Sequence, residues 1–131
     1  MIEVKNISDL QKVIECMKNS GKNIIILSGT LGSGKTTFVK EFVKSMGIDE
    51  NVTSPTFSIQ NIYGKIHHYD LYNKTINDFL NLGMLEEFEK EGYHFIEWGE
   101  ELEKYLQQFG FEYLKIEIKL LDKKRIFNCI N

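Results

Sequence analysis

The eight residues Gly29-Thr30-Leu31-Gly32-Ser33-Gly34-Lys35-Thr36 fit the pattern G-x-x-x-x-G-K-[ST] at every fixed position. The apolar run Ile24-Ile25-Ile26-Leu27 precedes them, and residues 36–46 carry apolar side chains at helical spacing and end before Gly47. A buried strand, a glycine-rich turn and a helix together suit a phosphate group, because backbone N–H groups and the helix N-terminus point at the anion. The stretch therefore predicts a nucleotide-binding loop delivered by a central strand.

The side chains of this loop have separate expected tasks. Lys35 is expected to reach the β- and γ-phosphates, and the Thr36 hydroxyl to ligate Mg²⁺. The rest of the phosphate cradle is expected from Gly29, Thr30, Leu31, Gly32, Ser33, Gly34 and Thr37. The motif alone does not name the reaction.

Length and composition limit what can accompany the loop. The chain has 131 residues, which predicts a single α/β domain over residues 1–131. Its apolar runs are too short to span a bilayer, so we expect a soluble, cytoplasmic protein without membrane contact. A net charge of -3 gives no general attraction to nucleic acid, so any link to RNA is expected to run through a partner protein. Cys16 and Cys129 lack metal-ligand or redox spacing and are expected to behave as small apolar residues.

The flanking sequence predicts a scaffold of strands and helices. Ile2 and Val4 alternate like a short strand, and Ser8-Asp9-Leu10-Gln11 resembles a capping box that opens a helix. Near the other end, Glu100 to Phe109 predicts an amphipathic helix with Leu102, Tyr105, Leu106 and Phe109 inward.

Two further segments have simple patterns. Residues 86–91 are acidic and predict a solvated face. Leu114 to Leu120 alternates apolar and charged residues, which predicts an edge-like antiparallel strand, and a basic turn at residues 122–125 leads into the next strand.

A shaped loop is predicted at Val52-Thr53-Ser54-Pro55-Thr56-Phe57, because Pro55 fixes its own φ and biases Ser54 toward an extended conformation. Such a loop can bring the hydroxyl of Thr56 or Ser54 to Mg²⁺ or the γ-phosphate. An ordinary turn between strands is the alternative.

Two carboxylates stand at the ends of predicted strands. Asp70 ends the strand that follows the Tyr63-Gly64-Lys65 turn, and Glu97 ends Tyr93-His94-Phe95-Ile96-Glu97. Carboxylates at strand ends near a phosphate loop suit Mg²⁺, although Phe95-Ile96-Glu97 is a weak match to a Walker B segment, and a surface-facing carboxylate is the alternative. His67 and His68 have no matching zinc-ligand spacing, so a polar cluster is preferred there.

These motifs occur together in one order: the loop, Ser54-Pro55-Thr56-Phe57, His68-x-Asp70-x-Tyr72 and Glu97-Trp98. In this combination the chain resembles TsaE (YjeE), the bacterial ATPase family of tRNA threonylcarbamoyladenosine biosynthesis. The resemblance implies a mostly parallel central sheet flanked by helices and extended by antiparallel strands, as in P-loop NTPases. It also implies Mg-ATP binding, slow ATP hydrolysis, and action with the TsaB and TsaD proteins, with tRNA reached only indirectly.

The resemblance also suggests roles for individual residues. Lys35, Asp70 and Glu97 become the expected catalytic residues, with Thr36 and Glu97 at the metal and Asp70 positioning the metal or the attacking water. The basic turn, with Lys124, is expected to approach the adenine together with the loop around Asn6 and Ile7.

Two departures from the family pattern affect these expectations. Asn73 follows Tyr72 where the family usually has arginine, and Gly99 follows Trp98 where it usually has proline. Arg125 is the only arginine, so we expect no guanidinium near the motifs to clamp the phosphates, and Lys74 is a poorer geometric substitute.

Other functions remain open at this stage. A small-molecule P-loop kinase needs a substrate lid and several basic residues, which this chain hardly provides. A GTPase needs N-K-x-D, and Asn73-Lys74-Thr75-Ile76 lacks the acidic residue. A non-hydrolysing module, in which ATP only orders residues 54–63 for a partner, is distinguished from an ATPase by turnover.

Overall fold

The apolar run before the loop forms a strand near the middle of a seven-stranded sheet. The computed structural model describes residues 1–55 and 58–130. Its strands are β1 Ile2–Val4, β2 Ile24–Ser28, β3 Gln60–Tyr63, β4 Ile66–Asp70, β5 Tyr93–Glu97, β6 Leu114–Leu121 and β7 Lys124–Ile130. Its α-helices are α1 Leu10–Asn19, α2 Lys35–Ser45, α3 Ile76–Asn81 and α4 Glu103–Gln108, with 3₁₀ segments at Ile7–Asp9, Met84–Glu89 and Glu100–Leu102.

The sheet has the order β1-β7-β6-β2-β5-β4-β3. Its four central strands, β6, β2, β5 and β4, run parallel to one another. Antiparallel pairing adds β7 and β1 on one side and β3 on the other. The predicted α/β class, with a parallel centre extended by antiparallel strands, is confirmed.

Strand β6 corrects one expectation, because it lies inside the sheet between β2 and β7 and is not an edge. The alternation that suggested an edge has another cause. Leu114, Ile116 and Ile118 are buried on one face, whereas Lys115 on the other face is paired with Glu103 of α4 at 3.0 Å. Helix α4 packs on this polar face, so the alternation of apolar and charged residues reflects an ion pair between sheet and helix. It does not indicate an edge strand.

Both faces of the sheet are covered, as the continuous apolar run predicted. Ile25 and Leu27 belong to a core that includes α1 and α2, while Ile24 and Ile26 belong to a second core formed with α3, α4 and the 3₁₀ segments Met84–Glu89 and Glu100–Leu102. Because β2 is buried on both sides, the loop that follows it starts from a fixed point.

Several local expectations are confirmed or adjusted. Helix α2 and the β3–β4 hairpin lie where the sequence predicted them. The capping interaction before α1 lies earlier than expected, because the backbone N–H groups of Lys5 and Asn6 donate to Asp9. The prediction that Phe109 faces inward is wrong, because Phe109 follows the end of α4 and is exposed. In the described part of the chain, no helix has the length and apolarity to cross a membrane.

Candidate nucleotide-binding site

The glycine-rich loop (residues 29–34) lies at the carboxyl edge of the parallel strands, between β2 and α2. Strands β5 and β4 follow β2 in the sheet, and their register places Leu27 beside Glu97 and Glu97 beside Asp70. The structure thereby brings both predicted carboxylates to the loop. A cavity of ≈ 280 Å³ lies there, lined mainly by residues 31–37, Asp70, Glu97, Trp98 and Arg125.

Close packing explains why small residues form this loop. A Cβ atom on Gly29 would lie 2.6 Å from the Ser33 hydroxyl and 2.9 Å from the Ile118 carbonyl. Gly34 has φ +114, a conformation that side chains disfavour, and immediately precedes α2. The backbone between them can therefore turn tightly beside the helix N-terminus.

Lys35, the first residue of α2, is buried inside the loop. Its ammonium donates to the Gly29 carbonyl at 2.5 Å and to the Thr30 carbonyl at 3.4 Å, and it lies 3.5 Å from the centre of the Trp98 ring. Burial lowers the pKa of Lys35, and the neighbouring carboxylates, Glu97 first, oppose that shift. The ammonium is thus held at the cavity by carbonyl dipoles and an aromatic face.

Thr36 and Glu97 meet directly at the cavity. The Thr36 hydroxyl donates to Glu97 Oε2 at 2.8 Å, although 61 residues separate them in sequence. The same oxygen lies 2.6 Å from Nε2 of His68. The side chain of Glu97 is 4% exposed, so this carboxylate is buried and hydrogen-bonded. The alternative of a surface-facing Glu97 is excluded.

Asp70 is buried at the end of β4. Its Oδ1 accepts the backbone N–H of Tyr72 at 2.8 Å, and its Oδ2 accepts the Ser54 hydroxyl. The shaped loop at residues 52–55 therefore reaches this carboxylate through Ser54. The expected role of Thr56 concerns a residue outside those that the structure describes.

Arg125 corrects the expectation that no guanidinium lies near the motifs. Strand β7 begins at Lys124, and the Arg125 Nε–H donates to the Ser33 carbonyl at 2.6 Å. Lys124 projects elsewhere, and its ammonium is paired with Glu3 of β1. Sequence reasoning missed Arg125 because its approach depends on strand order: β7 lies two strands from β2 but about 100 residues away in the chain.

A second cavity of ≈ 250 Å³ adjoins the first. Gly34, Thr37 and Arg125 line both cavities. The rest of its wall comes from β1, β7 and the start of α1, with Asn6 and Ile7 among its residues. The two cavities are therefore neighbours that share one wall beside the start of α2.

Comparison with known proteins adds independent information to this geometry. The sequence model of the family described as threonylcarbamoyl adenosine biosynthesis protein TsaE matches residues 4–127. This chain belongs to the TsaE family.

Three TsaE relatives show how far the similarity extends. The protein of Bacillus subtilis strain 168 is 38% identical over 101 residues, or 74% of this chain and 61% of that protein. The protein of Aquifex aeolicus is 38% identical over 80% of this chain and 74% of its own length. The protein of Treponema pallidum is 36% identical over 66% of this chain and 67% of its own length. The chain thus spans about two thirds of the length of these relatives.

A solved structure has the same fold. The crystal structure of YdiB from Bacillus subtilis superimposes with a TM-score of 0.66 and 26% sequence identity, covering 95% of this chain and 80% of YdiB. The similarity therefore extends from the loop to the whole seven-stranded sheet.

The two departures from the TsaE pattern have different surroundings. Asn73 is exposed, so the position usually held by arginine lies at the surface. Gly99 is buried, and a Cβ atom there would lie 2.4 Å from Ile96 Cγ2. A larger residue at position 99 would therefore force the Ile96 side chain to move.

The residues present fit a magnesium–nucleotide complex. The hydroxyl of Ser33 is buried within the loop and has no hydrogen-bond partner among the described residues, so the loop retains unused polar capacity. Residues 1–55 and 58–130 contain no group of three His, Cys, Asp or Glu side chains arranged for a metal. Magnesium would rely on Thr36, Glu97, phosphate oxygens and water, which is the sparse ligation that this ion usually has beside phosphates.

Proposed function

We propose that this chain binds Mg-ATP along the glycine-rich loop and hydrolyses it slowly to ADP and phosphate. The observation that carries the proposal is the direct 2.8 Å contact between the Thr36 hydroxyl and Glu97 Oε2 beside the buried Lys35 ammonium. The Thr36 hydroxyl and Lys35 ammonium at the start of α2, with the Glu97 carboxylate at the end of β5, are the groups needed to hold a metal and the terminal phosphates together.

Each residue has a defined part in the proposed reaction. Lys35 binds the β- and γ-phosphates, and the backbone of residues 29–34 with Thr37 surrounds the remaining phosphate oxygens. Thr36 and Glu97 hold the metal, which when bound neutralises charge on the β- and γ-oxygens. Asp70, fixed by Ser54 and the Tyr72 N–H, orients the attacking water.

Slow turnover in isolation follows from where the one arginine lies. Arg125 comes from β7, on one side of β2, whereas Asp70 and Glu97 come from β4 and β5 on the other side. In this arrangement the guanidinium enters the cavity from the Ser33 side of the loop, across from the strands that carry the carboxylates. The reacting phosphate then lacks a guanidinium, which contributes about 10³ to 10⁵ in rate where one is used.

The family supplies the proposed biological role. The matching family and relatives are described as proteins of threonylcarbamoyladenosine biosynthesis. We assign this chain the ATPase part of that modification, at adenosine 37 of tRNAs that read ANN codons, in a cytoplasmic complex with TsaD and TsaB. Its net charge of -3 supports contact with tRNA through those partners rather than directly.

A nucleotide-gated module without turnover is the second candidate. The Ser54 contact with Asp70 favours it, because this bond links the segment after Val52 to the carboxylate beside the loop. Binding could then rearrange that segment for a partner without any hydrolysis.

Single-turnover and steady-state ATPase assays decide between the two. The isolated protein is expected to turn over far below the enzyme median of about 10 s⁻¹ and to accelerate when TsaB and TsaD are added. Binding of ATP with no phosphate release in either condition would favour the non-hydrolysing module. Fast turnover that partners leave unchanged would contradict both candidates.

A further inference from the structure

His68 occupies a position that the proposed mechanism does not yet use. Its side chain is fully buried in β4, and its Nε2 lies 2.6 Å from Glu97 Oε2. That oxygen is the one that also accepts the Thr36 hydroxyl at 2.8 Å. His68 therefore contacts the proposed metal-binding carboxylate from the protein interior, while Thr36 contacts it from the cavity side.

The direction of this hydrogen bond follows from its acceptor. A carboxylate oxygen accepts, so the Nε2–H of His68 donates to Glu97. The other ring nitrogen, Nδ1, has no hydrogen-bond partner among the described residues. The imidazole is thus committed to a single polar contact, and that contact is with Glu97.

Strand geometry makes the contact rigid. His68 lies opposite Phe95, and Asp70 lies opposite Glu97, in the parallel pairing of β4 with β5. Since side chains alternate along a strand, His68 shares a face with Asp70, and its neighbour His67 lies on the other face. The imidazole and the Glu97 carboxylate are both almost fully buried on this face, at 0% and 4% side-chain exposure.

We propose that His68 is a positioning residue that fixes the Glu97 carboxylate in the orientation required to hold Mg²⁺ with Thr36. The inference rests on the proposed Mg-ATP function and adds a specific consequence to it. Metal affinity depends on His68, whereas the affinity for the nucleotide without metal does not. Removing an outer hydrogen-bond partner of a metal ligand costs about 10- to 100-fold in metal affinity.

His68→Leu and His68→Gln test the donor role. Leucine removes the donor at similar bulk, whereas glutamine carries an amide N–H that can reach the position of Nε2. ATP affinity is measured by calorimetry in EDTA and then across a magnesium titration, which gives the Mg²⁺ concentration at half-maximal gain in affinity. His68→Leu is expected to raise that Mg²⁺ concentration about 10- to 100-fold, and His68→Gln to keep it close to the wild-type value. The ATP affinity in EDTA is expected to be unchanged in both variants.

His67→Leu is the matched control. His67 is a buried histidine in the same strand, also with an unpartnered Nδ1, but it stacks on His94 on the opposite face. This variant is expected to keep the wild-type magnesium midpoint, whatever its thermal stability. Should His68→Leu fail to fold, His68→Asn, whose shorter amide does not reach Glu97, replaces it in the comparison.

The outcomes separate this inference from the proposed function. A wild-type protein that does not bind ATP, or binds it without magnesium dependence, overturns both. If the wild type shows the dependence, then a normal midpoint in His68→Leu overturns the positioning role alone. An equal shift in His68→Leu, His68→Gln and His67→Leu, or a parallel loss of affinity in EDTA, also overturns it by showing a general packing effect.

Discussion

Strands β4 and β5 carry polar side chains on both of their faces. The hydrogen bonds of one group reach the cavity, whereas those of the other group do not. The face beneath α2 carries the site cluster, which consists of His68, Asp70 and Glu97. The opposite face carries the interior cluster, which consists of His67, Tyr69 and His94. Histidine therefore occurs on both faces, whereas both carboxylates of these clusters lie on the face beneath α2.

Tyr69 and His94 of the interior cluster form a short chain of hydrogen bonds, on which the His67 ring stacks. His94 Nε2–H donates to the Lys90 carbonyl at 2.8 Å, so its Nδ1 accepts the Tyr69 hydroxyl, also at 2.8 Å. The Tyr69 end of this chain is fully buried, with Phe88 and Phe79 packed against its ring. The site cluster instead ends at the Thr36 hydroxyl beside a cavity. The interior cluster therefore lies away from the cavity, and the site cluster is the one to which we assign the proposed chemistry.

The largest expected effect is on ATP turnover when the carboxylates of the site cluster are neutralised. Glu97→Gln and Asp70→Asn are each expected to lower turnover at saturating Mg²⁺ by about 10²-fold or more, in the range of lost acid–base or positioning groups. Measured rates equal to wild type in both variants would break the distinction between the clusters, and a defect in only one would assign the role to that carboxylate.

Lys35→Ala is expected to lower ATP affinity by about 100-fold, since a charged hydrogen-bond donor to the phosphates is lost. Thr36→Ala is expected to remove the magnesium dependence of binding while leaving the fold intact. Calorimetry on each variant, after circular dichroism has shown native structure, measures both effects. Unchanged ATP affinity in folded Lys35→Ala would refute the binding assignment.

The interior cluster makes stability depend on pH. Burial lowers the pKa of His94 to about 4, while Glu87 of the 3₁₀ segment, Lys90 just after it and His67 of β4 modify the shift. In the unfolded chain the same group titrates near about 6.5, so between these values the unfolded state binds more protons and stability falls on acidification. From pH 7 to pH 5 this group is expected to remove about 2 kcal/mol of unfolding free energy.

Denaturant unfolding of wild type and His94→Gln across this range measures the contribution. The variant is expected to lack the component between pH 7 and pH 5, whatever its overall stability. An identical pH dependence in the two proteins would show that the interior cluster does not act through His94.

The smallest expected effect concerns Trp98, which directly follows Glu97 of the site cluster and is partly exposed at the surface. Trp98 is half-buried with φ +60, and its ring lies against both Lys35 and Tyr72. A cation–π contact of about 1 kcal/mol predicts that Trp98→Ala changes ATP affinity by only about fivefold. If Trp98 also contacts TsaB or TsaD, stimulation of turnover is lost while binding persists; retained stimulation would indicate a packing role alone.

Local chemistry explains what could be predicted from the sequence. The strand, loop and first helix follow from glycine spacing and an apolar run, and both carboxylates stand at strand ends that a parallel sheet brings together. Arg125, the interior position of β6 and the His68–Glu97 contact could not be predicted, because each depends on which strands are neighbours. Periodicity reports the face on which a side chain lies, but strand order is decided by packing across the whole domain.

The pairing of β1 with β7 also bears on how the protein is made. Residues 2–4 pair with residues 125–127, and β2 pairs with β6 about 90 residues later in the chain. Many strand pairs of the sheet therefore join segments that are distant in sequence. Such topologies fold slowly, since chain entropy is lost before the distant contacts form. During synthesis, the apolar strand β2 emerges well before β5 and β6 exist to cover its edges. The nascent chain is therefore expected to need chaperone protection over this interval, and its cavity beside Ser33 is completed only after Arg125 has been added.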